Sequence, residues 1–253
     1  MTTLRDIAMR LLPDLLSGFG LLTRLPLPNH RTTGAGSAWA WPLVGAALGA
    51  IAAAAMQTAL WLGISPGVAA VLVLAVLALL TGALHEDGLS DTADGFFGGW
   101  TRERRLEIMK DSRVGSYGVL AIVLVTLARW SALTSLLVYE DYWPALIATG
   151  ALSRAPMALM MALLPNARGS GLSHATGRPS QTVALLGLGL GTGIAVLATG
   201  WAALPLVLVV LATTILLSIL ALRRIGGQTG DVLGTAQQLA EVACLTILSA
   251  RAG

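Results

Sequence analysis

Apolar residues run along this chain in long stretches with few polar interruptions. Seven of them approach or exceed the roughly 20 helical residues that a bilayer crossing takes: 41–62, 67–84, 115–138, 144–164, 182–199, 202–222 and 232–250. The runs are continuous, whereas barrel strands would alternate apolar and polar positions. The pattern therefore predicts an all-α, multi-pass transmembrane bundle of about seven spans in a single integral-membrane domain, 1–253. Ahead of the first span, residues 1–20 set Arg5, Asp6, Arg10 and Asp14 among leucines, the make-up of an interfacial helix within an N-terminal segment 1–40. Two polar stretches interrupt the apolar runs, 85–113 and 223–234, and the first is expected to contain a short charged helix.

Composition agrees. The chain is 55% hydrophobic and 11% charged, less than half the charge of an average soluble domain. Basic residues then orient the bundle, because Lys and Arg concentrate in cytoplasmic loops. With the N-terminus inside, 13 of the 16 basic residues fall inside, two (Arg129 and Arg154) lie within spans, and Arg251 lies outside. The outer connections, near Ile64, Glu140 and Gly200, carry none. The chain's polar segments are therefore expected on the cytoplasmic face. A pI near 9.6 then reflects attraction to anionic lipid. No basic stripe interleaved with aromatics points to nucleic acid. Cys244 reads as a small buried hydrophobe. Gly45 with Gly49, and Gly187 through Gly193 at alternate positions, read as close helix contacts that also permit self-association.

The candidate chemistry is concentrated. Residues 85–113 hold 12 of the 29 charges and seven of the 13 acids. Asp87, Asp91 and Asp94 stand at i, i+4 and i+7, within about 60° of one another on a helix. Such a stripe repels itself unless a cation neutralises it, and hard oxygen ligands suit Mg²⁺, with Mn²⁺ as a substitute. Glu103, Glu107 and Asp111 follow at four-residue steps, interleaved with Arg102, Arg104, Arg105, Lys110 and Arg113. Metal-holding acids beside guanidinium groups are the parts of a phosphoryl-transfer site; a solvated helix laced with salt bridges has the same pattern. A second element, 223–234, is rich in glycine, which lets backbone approach a ligand. There Asp231 either caps a helix or binds a substrate hydroxyl. His85, at the membrane boundary, would orient a carboxylate or touch phosphate. Arg154 and Glu241, inside spans, need partners or a site to face, and Arg129 would snorkel.

Three stretches carry a resemblance: His85-x-Asp87-Gly88-Leu89-x-Asp91-Thr92-x-Asp94-Gly95, Arg105-x-Glu107-Ile108-Met109-Lys110-Asp111-Ser112-Arg113-x-Gly115, and Gly226-Gly227-x-Thr229-Gly230-Asp231-x-Leu233-Gly234. With Phe19-x4-Arg24-Leu25-Pro26 and Pro42-x2-Gly45, they resemble the cobalamin synthase (adenosylcobinamide-GDP ribazoletransferase) family over nearly the whole chain. Glu86 departs from that pattern, which usually has an apolar residue there. The resemblance implies a Mg²⁺-dependent inner-membrane enzyme. It would transfer the adenosylcobinamide-phosphate moiety of adenosylcobinamide-GDP to α-ribazole or its 5′-phosphate, releasing GMP.

On that reading Asp87, Asp91, Asp94 and Asp111 are expected to bind the metal, with Asp111 or Asp94 as catalytic acid–base. His85, Arg102, Arg105, Lys110, Arg113, Arg154, Gln228, Thr229 and Asp231 are expected to bind substrate, with Glu86, Glu107 and Glu241 as further candidates. Partners would be the two substrates and the lipid bilayer, with a homo-oligomer or other cobalamin-assembly enzymes also in view. The Asp91-x2-Asp94-Gly95 pair is also similar to part of the metal motif of CDP-alcohol phosphotransferases, which makes a phospholipid-synthesis enzyme the alternative.

Overall fold

The computed structural model describes the backbone of residues 4–138 and 142–252, with side chains for 11–137 and 142–250. The side chains of Arg5, Asp6, Arg10 and Arg251, and the outer connection at Glu140, lie outside the described residues. Among those described the chain is helical: α1 (Leu4–Leu22), α2 (Trp41–Trp61), α3 (Pro66–Thr81), α4 (Leu84–Gly98), α5 (Arg102–Ile108), α6 (Ser116–Val138), α7 (Tyr142–Leu163), α8 (Leu172–Thr176), α9 (Gln181–Thr199), α10 (Ala203–Ile225) and α11 (Gly230–Ala252). Five continuous stretches are long and apolar enough to span a membrane, one of them the 45 residues Gln181–Ile225. Straight, that stretch would reach about 68 Å, twice a hydrocarbon core. It folds back at Gly200, where φ is +57°, so that Thr192 and Val196 of α9 share a cleft with Leu204 and Val207 of α10. Both free ends return to one end of α7: Arg178 donates to the Ala162 carbonyl, and the Ile225 and Ala167 carbonyls share Arg102. Counting α3, the bundle makes the seven passages that the apolar pattern predicts.

The second passage stops early. Gly82 and Ala83 are both left-handed, with φ of +64° and +55°, and α4 leaves α3 at 89°. We read α3 as the crossing, with α4 turned across the end of the bundle between α6 and α11. Arg24, whose amide donates to the Leu80 carbonyl at 2.7 Å, lies against Gly82 and closes the corner.

At the centre stands α7, buried along most of its length, whereas α6 leaves most of its own surface exposed. It touches α2 backbone to backbone: a methyl on Gly45 would overlap the Gly150 carbonyl, and one on Gly49 the Leu146 carbonyl. Small residues drive such contacts in lipid, where apolar side chains gain nothing by leaving the solvent. Gly191 likewise packs on Ala151 and Ala155 of α7, and Gly187 on Ala38 and Trp39, but Gly189 and Gly193 meet nothing within 4 Å. The N-terminal helix is tied to the bundle. Asp14 of α1 accepts from the Trp39 indole at 2.8 Å, while Leu12 stays 65% exposed, as an interfacial seat requires.

Candidate active site

The two polar elements meet because α4 crosses α11 closely. A methyl on Gly88 would lie 2.8 Å from the Asp231 carbonyl, and one on Gly234 would lie 3.2 Å from the His85 Cα. Thr235 locks the crossing, its hydroxyl donating to the Gly88 carbonyl at 3.0 Å. These motif glycines thus admit a neighbouring helix, not a ligand's phosphates. Gly227 does the same for the loop after α7, where a methyl would overlap the Pro165 carbonyl. Gln228 bonds that loop through its backbone, to Pro165 and Ala167 at 2.9 and 2.8 Å. Its side chain accepts from Ser173 at 2.7 Å. Thr229 is buried, accepts from the Val232 amide at 3.3 Å and donates to Asp231 at 3.2 Å. Gln228 and Thr229, expected at the substrate, instead hold the loop and start α11.

This pairing delivers a residue that sequence reasoning counted only as a charge. Arg168 ion-pairs with Asp231 and also acts electrostatically on Asp91. Its sole sequence signal is a guanidinium in a short polar loop between two apolar runs. Asp87, Arg168, Ser170 and Asp231 form the rim of a cavity of about 180 Å³. Asp91, half-buried beside Asp87, has its carboxyl pushed up to about 7, first by burial and then by the charge of Asp87, with Arg168 pulling the other way.

Of the four aspartates expected to share a metal, Asp87 and Asp91 stand together, while Asp94 and Asp111 are engaged by other partners. Asp94 is buried, and its two oxygens accept from the Gly115 and Gly118 amides at 2.7 and 2.9 Å, so it caps the start of α6. Asp111 lies on the loop before α6 in a fork with Arg113 at 2.8 Å, which holds its carboxyl below the usual range. Among the described residues no three His, Cys, Asp or Glu side chains form a ready metal cage.

Several expected substrate contacts are likewise engaged elsewhere. Arg102 donates to the Ile225 and Ala167 carbonyls at 2.8 and 2.9 Å, and Arg105 to the Arg224 carbonyl at 3.0 Å. Both satisfy orphan acceptors at the end of α10. Glu107 pairs with Arg104 on the surface, and Lys110 is exposed.

Glu86, Arg154 and Glu241 turn away into the bundle. Arg129 bridges Glu86 and Glu241. Arg154 lies 3.6 Å from the other oxygen of Glu241, and Gln237, Gln238 and Ser153 complete the set. Two cations and two anions balance, so Arg129 is buried rather than snorkelling.

Residues 14–249 match the family model described as cobalamin-5-phosphate synthase. The chain belongs to the cobalamin-5-phosphate synthase family. Its relatives named adenosylcobinamide-GDP ribazoletransferase include one from Bradyrhizobium diazoefficiens, 41% identical over 98% of this chain and 96% of that one. Another, from Mesorhizobium japonicum, is 42% identical over 95% and 94%, and one from Brucella ovis is 41% identical over 93% and 95%. No solved structure matches the chain. The family match spans both polar elements, so the rim described above belongs to the part of the chain that its relatives share.

Proposed function

We propose that this rim transfers the adenosylcobinamide-phosphate moiety of adenosylcobinamide-GDP to a ribose hydroxyl that is free in both α-ribazole and its 5′-phosphate, with release of GMP. The observation that carries this reading is that Asp87 of α4 meets Arg168 and Asp231 at the mouth of one cavity, with Asp91 close enough behind for the charges of Asp87 and Arg168 to act on it, in a chain that belongs to this family. Two carboxylates that repel each other suit Mg²⁺, which is usually held by one or two carboxylates plus substrate phosphates and waters. Asp87 and Asp91 would hold the ion, and when bound it neutralises charge building on the diphosphate.

The protein's own groups do the rest. A diphosphate entering the rim competes for the guanidinium of Arg168, which grips nonbridging oxygens. Asp231, so released, is the carboxylate in place to take the proton of the incoming hydroxyl. Asp111 is unsuited to that task, being tied to Arg113. The basic residues gathered at this end of the bundle, among them Arg102, Arg104, Arg105, Lys110, Arg223 and Arg224, favour a cytoplasmic site in the inner membrane.

The test is nucleotide release by purified protein across a Mg²⁺ titration. Adenosylcobinamide-GDP plus α-ribazole is expected to yield GMP, and a CDP-lipid plus an alcohol to yield no CMP. The reverse result, or full GMP release by both Asp87→Asn and Asp91→Asn, overturns the assignment.

A further inference from the structure

Behind the charged rim the cavity changes character. Its inner walls are Leu21 and Leu22 of α1, Leu84 of α4, Met157 and Met161 of α7, and Leu233 of α11. Besides Ser173 and Thr176 of α8, two buried polar side chains stand in this largely apolar wall. The Trp41 indole nitrogen and His85 Nε2 are both buried and have no hydrogen-bond partner among the described residues, and both side chains line the cavity. Trp41 and His85 are each 2% exposed. Burying such a group without a partner is costly, and two of them in one apolar cavity mark where a ligand supplies the missing partner.

We propose that this interior is the subsite for the base of the acceptor nucleoside, and that Trp41 and His85 are its specificity-determining residues. The inference rests on the transferase reading above. Size and polarity choose the base. A cavity of about 150 Å³ takes a benzene-sized ring, so 180 Å³ opening onto a rim takes a flat aromatic base. It has no room for a corrinoid macrocycle. Guanine is small enough, but its edge carries amide and amino groups that leucines and methionines would leave unpaired. The dimethylbenzimidazole of α-ribazole is apolar on both faces and along its methylated edge. Attached to ribose through one nitrogen, it keeps a single acceptor nitrogen for the Trp41 indole N–H, and the ribose it carries supplies a hydroxyl for His85 Nε2. With the base seated there, the ribose points to the rim, where Asp87, Arg168 and Asp231 lie.

The test uses full-length protein in detergent with Mg²⁺ and follows GMP release while each substrate is varied in turn. Trp41→Phe and His85→Phe keep a ring and delete the hydrogen-bonding nitrogen. Leu172→Trp fills the cavity from a position that is 48% exposed, so its outcome does not depend on the core tolerating a change. Each variant is expected to raise KM for α-ribazole about tenfold, the scale of one lost hydrogen bond or one crowded ring. KM for adenosylcobinamide-GDP should stay within about twofold. Free 5,6-dimethylbenzimidazole should compete with α-ribazole against wild type and lose that competition in Leu172→Trp. An unchanged KM for α-ribazole in Leu172→Trp and Trp41→Phe overturns the subsite while leaving the transferase reading intact. A rise in KM for the GDP substrate instead assigns the cavity to guanine and also overturns it. Wild-type protein that releases no GMP overturns both.

Discussion

Glu86 and Asp87 are neighbours on α4, yet they belong to opposite kinds of polar environment. Glu86 joins Arg129, Glu241 and Arg154 in a closed set in which each charge faces an opposite one. Asp87, on the rim, stands beside Asp91, so that like charges are left side by side and Arg168 is shared between two elements. Balanced charge deep in a bundle holds helices in register. Unbalanced charge at a cavity mouth is what a cation or a phosphate can still bind. The two sets lie on either side of a single helix, so the site is mounted on its own structural anchor.

Breaking the anchor should have the largest effect on stability. Arg129→Met leaves Glu86 without a cation and Glu241 with Arg154 alone, and loss of one partner of a buried pair costs about 3–5 kcal/mol. Unfolding in detergent should show that loss, and adding Glu241→Gln should recover part of it. No recovery would mean that the charges are not coupled.

Breaking the rim should instead leave stability intact. Asp91→Asn is expected to lower kcat/KM on the order of 10²–10³, as loss of one transition-state electrostatic contact does, with an unchanged or higher Tm. A variant that unfolds would place Asp91 with the anchor.

Asp94 separates from Asp91 in the same assay. As a cap on α6, Asp94→Ala should cost about 1–2 kcal/mol of stability, and its activity should fall no faster than its folded fraction. A strong Mg²⁺ dependence of that loss would return Asp94 to the metal.

The smallest effect expected is a pH slope. In chelator-treated protein the folded Asp91 carboxyl holds its proton up to about 7, whereas the unfolded one loses it near 4. The folded state therefore binds the extra proton between those values, and stability should fall as pH rises from 5 to 8. Asp91→Asn should flatten that slope, and so should Asp87→Asn, by removing the charge that helps raise it. An unchanged slope in both would place Asp91 in a more solvated setting.

The spans were legible because apolar runs of that length report directly on a bilayer, and the two polar elements stood out because they interrupt such runs. The division of labour among the acids was not legible. On a helical wheel Asp94 belongs with Asp87 and Asp91; only the start of α6, brought alongside by the α3–α4 corner, gives its oxygens two amides. Arg102 and Arg105 looked like phosphate grips because nothing in the chain order says that they end beside the last carbonyls of α10. Glu86 broke the resemblance, and its partners lie 43 residues or more away along the chain. Arg168 had no motif at all, since its position depends on the pairing of Gln228 with Pro165 and Ala167.

The seam between α2 and α7, main chain against main chain at Gly45 and Gly150, carries a consequence for how such a pocket diversifies. Trp41 and Met157 project from the two rods so fused, and neither rod can slide without colliding with the other's carbonyls. A descendant that came to accept a bulkier or slimmer ring would leave this joint alone and vary the opposite wall, at Leu172 and its neighbours.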